Sequence, residues 1–458
     1  MRAISGRQGT VRPFSQWAAI FMIGSSIFFL LAAGAGFSLL LFPNLASATT
    51  RTLAQTVKHA TRRQVTIPVT EQEAVIAQGQ RYMTALLQGQ YDTMWSMLHP
   101  AMQAMWPDET AFAHYWQMRF QGFTLQKFIL GKVTPLSSWV DPETMKRYTE
   151  VAMMPVSLTL TPQLAPDGLA PSPGAAQHAN QLLQNLPFIV QPAGRGAGSQ
   201  WHVLNGGPVD LEAPILPPTL PTSKKLNVPI LMYHHITAVP PRNILDRSLT
   251  VTPTVFGQQL DHLKMQGYHT ITFNQLFDTL YYDAPLPTRP IILTFDDGYS
   301  DAYTFAYPIL KAHGYSGMFY IITGKVGWQG QATWDQLREM LANGMGMGSH
   351  TVHHVDMGRV WQNSPQQAQQ ELEVSQRDMQ SHLGIAIQQF CYPSGEPFRH
   401  GTLAVQQGVM DLLRKNGYVG ATTDPPPAGM TQDSQRPFVL VRARIDGRSS
   451  LAEFVNRF

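Results

Sequence analysis

Residues 290–298 read PIILTFDDG, and this stretch decides the fold. It is a short apolar run, β-branched at Ile291, Ile292 and Thr294, opened by a proline and closed by a glycine. That pattern predicts a core strand covered on both faces, as in a parallel sheet. The strand carries Asp296 and Asp297 side by side to its C-terminal end. Two adjacent carboxylates are costly to hold together unless a cation or a proton lies between them. A surface Asp-Asp-Gly turn is the other reading of these residues, and the sequence downstream decides between the two.

Around this strand the pattern alternates. Strands are expected over 228–233, 269–273, 291–295, 317–322, 345–349, 389–392 and 417–422. Helices are expected over 254–265, 273–281, 303–313, 333–343, 366–382 and 402–416. About seven βα units in 228–458 predict an α/β domain, a distorted (β/α) barrel, with its chemistry at the carboxyl ends of the strands. Asp296 and Asp297 occupy that position.

Upstream, 68–207 reads as a small α+β domain. Helical spacing over 71–87 places Val75, Ile76, Tyr82, Met83, Leu86 and Leu87 on one side, and helices over 91–105 and 110–120 follow. Strands are expected over 123–133, 148–160, 188–190 and 201–204, with a loop rich in Pro, Gly and Ala over 161–179. The helices-then-strands order, with GQYDTMWSMLHP at 89–100 and WHVLNG at 201–206, resembles the nuclear-transport-factor-2-like cone fold. Nothing in it groups acid, His or Cys for chemistry; His99 and His114 read as core or rim, and the domain as a spacer or ligand-holding module. A proline-rich linker follows over 208–227, ending near Lys224 and Lys225.

The N-terminus differs in kind. From 13 to 50 there is no charged residue, and 17–42 is 26 residues of mostly apolar side chains. As a helix it would span about 39 Å, enough to cross an apolar layer. Arg2, Arg7 and Arg12 precede it, which favours an internal N-terminus. The expectation is a membrane anchor within 1–50, a stalk over 51–67, and the remainder exported; a signal segment cleaved near Ala48 is the alternative. The chain of 458 residues has 33 basic and 30 acidic side chains, a balance that argues against a nucleic-acid partner. Seven of the basic residues precede Glu71, the first acid, so the body of the chain is weakly acidic. Cys391 is the single cysteine, which excludes an intramolecular disulfide; it reads as a small buried filler.

Residues 347–354 read MGSHTVHH after a glycine-rich short strand. His350 and His354 at i and i+4 on a turn of helix would face the same way and suit one metal ion, with His353 at i+3 as an alternative second ligand. One carboxylate from the Asp pair completes a two-His-one-carboxylate site with open positions for water and substrate. The other carboxylate is then free to act as a general base.

TFDDG followed by SHTVHH resembles the polysaccharide deacetylases, the NodB-homology group or carbohydrate esterase family 4, over roughly 226–458. The resemblance implies Asp296 as base, Asp297, His350 and His354 as ligands of Zn²⁺ or a similar divalent ion (Co²⁺, Ni²⁺ or Mn²⁺), and a backbone N–H near Tyr392 as oxyanion donor. Two departures stand out. Where the family has an arginine that orients the base, this chain has Cys391 in FCYPSG (390–395), and the late hydrophobic-His motif is missing. Instead PILMYHHI opens the domain at 229–236, similar to the circularly rearranged branch that includes the poly-N-acetylglucosamine deacetylases. His234 matches the catalytic acid there, and His235 is its outward neighbour. In the tail LVRARIDGRSSLAEF, Arg442 and Arg444 fall on one face, and either is a substitute for the missing arginine. The function expected is metal-dependent removal of N-acetyl groups from a cell-surface polysaccharide. An O-acetyl esterase of the xylan type and a catalytically silent glycan-binding wall protein are the alternatives.

Overall fold

The computed structural model describes residues 68–458 apart from 121–122, 163–180, 195–199, 207–221, 240 and 426. The expected membrane span at 17–42, the stalk and most of the proline-rich linker lie outside the described residues. Among the described residues no helix is long and apolar enough to cross a membrane.

The chain is mixed α/β, with its strands in two main sheets. Helix Val69–Gln88 opens the first part, burying Val75, Tyr82, Met83 and Leu86 and ending at Gly89, whose φ of +67° closes it. Ile76 and Leu87, expected on the same side, are exposed, because each lies one residue off the buried stripe. The helix expected over 91–105 is broken into Tyr91–Met97 and Pro100–Gln103, since Pro100 cannot donate to a continuing helix. Helix Glu109–Arg119 follows, and after it an antiparallel sheet of Phe123–Leu130, Arg147–Pro162, Gln181–Pro192 and Trp201–Gly206, in that order. Strand Thr134–Val140 also pairs with Arg147–Pro162 and was not expected from sequence.

The second sheet has eight strands and is curled. Its order is Gly420–Thr422, Gln389–Cys391, Gly346–Ser349, Met318–Ile321, Pro290–Phe295, Ile230–Tyr233 and Ala443–Arg444, with His269–Thr270 paired beside the start of Pro290–Phe295. Every one of these pairings is parallel. Leu440 bridges to Thr422 at one edge, and three residues on Ala443 pairs with Leu231 at the other.

Strand Pro290–Phe295 sits at the middle of this sheet, and its side chains alternate. Leu293 and Phe295 join the helix-facing core, where Phe295 stacks between Tyr233 and Phe319 of the two neighbouring strands at ring separations of 5.4 and 4.7 Å. By the two-residue period Thr294 and Asp296 point to the opposite face. That alternation is what delivers Asp296 to the interior of the curl.

The two parts share one apolar cluster, in which Tyr82, Trp116 and Val151 meet Phe273, Leu276 and Ile292. At their contact Arg119 pairs with Asp278, which also accepts from the Tyr115 hydroxyl at 3.1 Å. Both members of the ion pair are buried.

Candidate active site

The site forms where the central strand ends. Asp296 remains in the ladder, its N–H donating to the Tyr233 carbonyl at 3.0 Å. Asp297 and Gly298 then turn the chain with φ of +74° and +71°. A Cβ at 298 would stand 3.4–3.6 Å from Ile321, so space permits a side chain there, and it is the left-handed backbone that calls for glycine.

Asp296 is buried and gripped by a fully buried arginine. Arg442 donates from Nη1 to Oδ1 and from Nη2 to Oδ2, both at 2.8 Å, a two-pronged pairing. The guanidinium also donates to the Thr294 hydroxyl at 3.1 Å and the Thr423 carbonyl at 2.6 Å. Burial alone would raise the Asp296 carboxyl, but the charge and hydrogen bonds of Arg442 outweigh it and hold the group below the usual carboxylate range. Cys391 Sγ lies 3.1 Å from the same guanidinium and 3.5 Å from Asp296 Oδ2. Arg444 does not share this place; it donates to the Ser248 hydroxyl at 3.2 Å. The expectation of one common face for the two arginines therefore fails, because only Ala443 and Arg444 run in register with the neighbouring strand.

His234 Nε2 stands 4.0 Å from Asp296 Oδ2. Burial pushes its imidazole below the ordinary histidine range, against the opposing pull of Asp296 and Asp297. His235 is directed elsewhere: its Nδ1 meets Asp301 Oδ2 at 2.6 Å and its ring stacks on Tyr299 at 3.7 Å.

Asp297, His350 and His354 converge. Asp297 Oδ1 is 3.4 Å from His350 Nε2 and 3.3 Å from His354 Nε2, and the three ligand atoms lie within 4.8 Å of one another. His350 Nδ1 is 2.8 Å from the Cys391 carbonyl, which fixes the ring with Nε2 toward Asp297. Burial would raise the Asp297 carboxyl, but the facing imidazoles of His350 and His354 keep it well below the carboxylate range. Its Oδ1 is buried with no hydrogen-bond partner of its own. An orphaned carboxylate oxygen facing two imidazole nitrogens fits a divalent cation of the zinc type. Asp296, His350 and Cys391 also lie close enough to share an ion. Both oxygens of Asp296 are already committed to Arg442, which disfavours that grouping.

The two histidines meet by a route the sequence did not announce. Residues 350–355 are not helical, and Thr351 and His354 take φ of +65° and +60°. His353 turns to Glu371, its Nδ1 2.7 Å from Oε1, and is 70% exposed.

The oxyanion donor is expected to be a backbone N–H near Tyr392, and the N–H of Tyr392 itself is engaged. Its N–H donates to the Thr422 carbonyl at 3.2 Å and its hydroxyl to the Phe438 carbonyl at 3.0 Å, because it is still part of the sheet. The exposed residue of the following turn is Ser394, at φ +54°. Asp424, not singled out from sequence, adds its charge near His234 and is held by Arg399 at 2.9 Å. It lies two residues beyond strand Gly420–Thr422, and the strand-end rule that marked Asp296 would have marked it too.

Residues 283–419 match the family model described as polysaccharide deacetylase. The chain is 30% identical over 236 residues to "Putative polysaccharide deacetylase YxkH" of Bacillus subtilis, covering 51% of this chain and 76% of that protein. It is 27% identical over 121 residues to the poly-beta-1,6-N-acetyl-D-glucosamine N-deacetylase of Escherichia coli K12, a stretch that covers 23% of this chain and only 18% of that protein. Among solved structures, the deacetylase PplD of Streptococcus pyogenes in complex with acetate is similar at 28% identity and a TM-score of 0.44, over 51% of this chain and 98% of that one.

Proposed function

The chain belongs to the polysaccharide deacetylase family, and from that premise we propose that it removes N-acetyl groups from a cell-surface polysaccharide of the N-acetylglucosamine type. The observation that carries this reading is the division of labour between two adjacent carboxylates. Asp296 is committed to an arginine and stands beside His234, while Asp297 faces two imidazole nitrogens with an unpartnered oxygen.

Asp297, His350 and His354 are the residues that would hold a divalent ion, Zn²⁺ being the best match to two nitrogens and one oxygen. Such an ion, when bound, polarises the acetyl carbonyl and makes a neighbouring water more acidic. Asp296, kept ionised and aimed by Arg442, takes the proton of the attacking water. His234, whose Nε2 stands 4.0 Å from Asp296, acts as imidazolium and gives its Nε2 proton to the departing amine, leaving the ring neutral. We assign the oxyanion contact to the turn at Ser394 rather than to the N–H of Tyr392, which is occupied.

In this reading 228–458 is the catalytic domain, and the contact of Leu440 and Ala443 with opposite edges of the sheet supports a distorted (β/α) barrel. Residues 68–207 form a small domain of the nuclear-transport-factor-2-like type, joined through the linker at 208–227. Residues 1–50 anchor the protein in the cell membrane with its catalytic domain outside.

The test is acetate release from β-1,4- and β-1,6-linked N-acetylglucosamine oligomers by the purified full chain, with Zn²⁺, with chelator, and with Asp296→Asn. Release that chelator and the substitution both abolish, and that Zn²⁺ restores, is the expected result. Activity on acetylated xylan alone would move the assignment to an O-acetyl esterase, and silence on every substrate by the metal-loaded chain would favour a glycan-binding protein.

A further inference from the structure

His353 has no part in the chemistry above, and Glu371 has drawn no attention from the sequence. In the folded chain they meet beside the metal-ligand loop. Glu371, buried in helix Pro365–Leu383, accepts at Oε2 from the backbone N–H groups of Val352 and His353, each at 3.0 Å. Its Oε1 takes the His353 ring at 2.7 Å.

The loop has no regular structure to satisfy its own backbone, so side chains must do so. His350 N–H donates to the Ile321 carbonyl at 3.0 Å, and Thr351 N–H to the Ser349 hydroxyl at 3.3 Å. His354 and Val355 N–H groups both donate to the Thr351 hydroxyl, at 2.8 and 3.3 Å. With Glu371 taking the two between, each N–H from His350 to Val355 has a named acceptor. The left-handed backbone at Thr351 and His354 is over-determined by this net, and such conformations persist only where the surroundings hold them. Helix Pro365–Leu383 braces the loop a second time, through Ser375 Oγ at 2.8 Å from Ser349 Oγ.

We propose that Glu371, with His353 as its partner, is a positioning residue of the metal site. It holds Val352 and His353 so that the chain reverses at His354 and sets Nε2 beside Asp297. His353 is thus a brace and not a ligand. The inference rests on the metal-site reading given above.

The test measures Zn²⁺ affinity by competition with a chelating dye, and the visible spectrum of bound Co²⁺, on the full chain. Glu371→Ala is expected to weaken Zn²⁺ binding by about 10- to 100-fold and to shift the Co²⁺ bands, as loss of an outer-shell partner does. Glu371→Gln should give a smaller loss in the same direction with an unchanged melting temperature of the metal-free chain, and it carries the test if the alanine variant does not fold. His353→Ala should bind one ion per chain with a loss smaller than that of Glu371→Ala. His354→Ala should lose stoichiometric binding. Unchanged affinity and spectrum in both Glu371 variants, with binding lost in His354→Ala, would overturn the brace and leave the metal site standing. Loss of binding in His353→Ala instead of His354→Ala would make His353 the ligand and overturn the proposal. Undiminished binding by His354→Ala would remove the metal-site reading itself.

Discussion

Replacing Arg442 tests the reasoning most directly. Its fully buried guanidinium makes two charge-assisted bonds to Asp296, and it also supports Thr294 and Thr423. Removing one partner of a buried pair costs about 3–5 kcal/mol, because the remaining charge stays behind uncompensated. Against a total stability of about 5–15 kcal/mol, Arg442→Met leaves a weakened fold. Arg442→Lys keeps the charge but loses the two-pronged geometry, and is the more informative variant. A misaimed general base forfeits much of a contribution worth about 10²–10⁴ in rate. The expected loss in kcat is therefore about 10²–10³, or roughly 2.7–4.1 kcal/mol of barrier. Metal content should stay at the wild-type level, since the ligand set does not touch Arg442. The pH profile supplies a second reading. Burial raises the Asp296 carboxyl and Arg442 lowers it, so weakening the arginine raises the folded value. The base works only when ionised, so the acidic limb of the profile should move to higher pH. Acetate release by metal-loaded Arg442→Lys and Arg442→Met within about threefold of wild type would refute the argument.

Two further predictions concern the frame around the site. Arg119→Leu strands Asp278 in the contact between helix Glu109–Arg119 and helix Phe273–Tyr282, and should lower stability by about 3–5 kcal/mol in urea titration. Adding Asp278→Leu should recover most of that loss, and no recovery would mean that the arginine acts by packing alone. Gly324→Ala would place a Cβ 2.6 Å from the Val352 carbonyl, whose oxygen accepts from the Gly324 N–H at 3.0 Å. Displacing the ligand loop there should cost about 1–3 kcal/mol in a thermal melt and weaken Zn²⁺ binding; wild-type affinity would show that the loop gives way freely.

Much of this was legible in the residues. The run before Asp296 announced a buried parallel strand, and the observed strand Pro290–Phe295 differs from the expectation by one residue. The helices over 366–382 and 402–416 appear as Pro365–Leu383 and Leu403–Lys415, because hydrophobic period and caps are local signals. Strand Thr134–Val140 escaped, its alternation blurred by Pro135 and two serines. A motif does not say where a strand stops, and one further residue of ladder engages the N–H of Tyr392.

By itself the sequence determined which side chains reach the carboxyl ends of the strands, since alternation along a strand and adjacency in a motif are properties of the chain alone. It therefore brought forward Asp296, Asp297 and His350 with His354 or His353, and the family resemblance chose among them. It left open which arginine serves Asp296 and what bends the histidine loop. Those choices fell to the tertiary structure. Arg442 and Asp296 are 146 residues apart, and the loop and Glu371 meet only through a returning helix. A buried carboxylate or an unpaired N–H accepts whichever partner the packing brings within about 3 Å, and no periodicity in the chain records which one that will be.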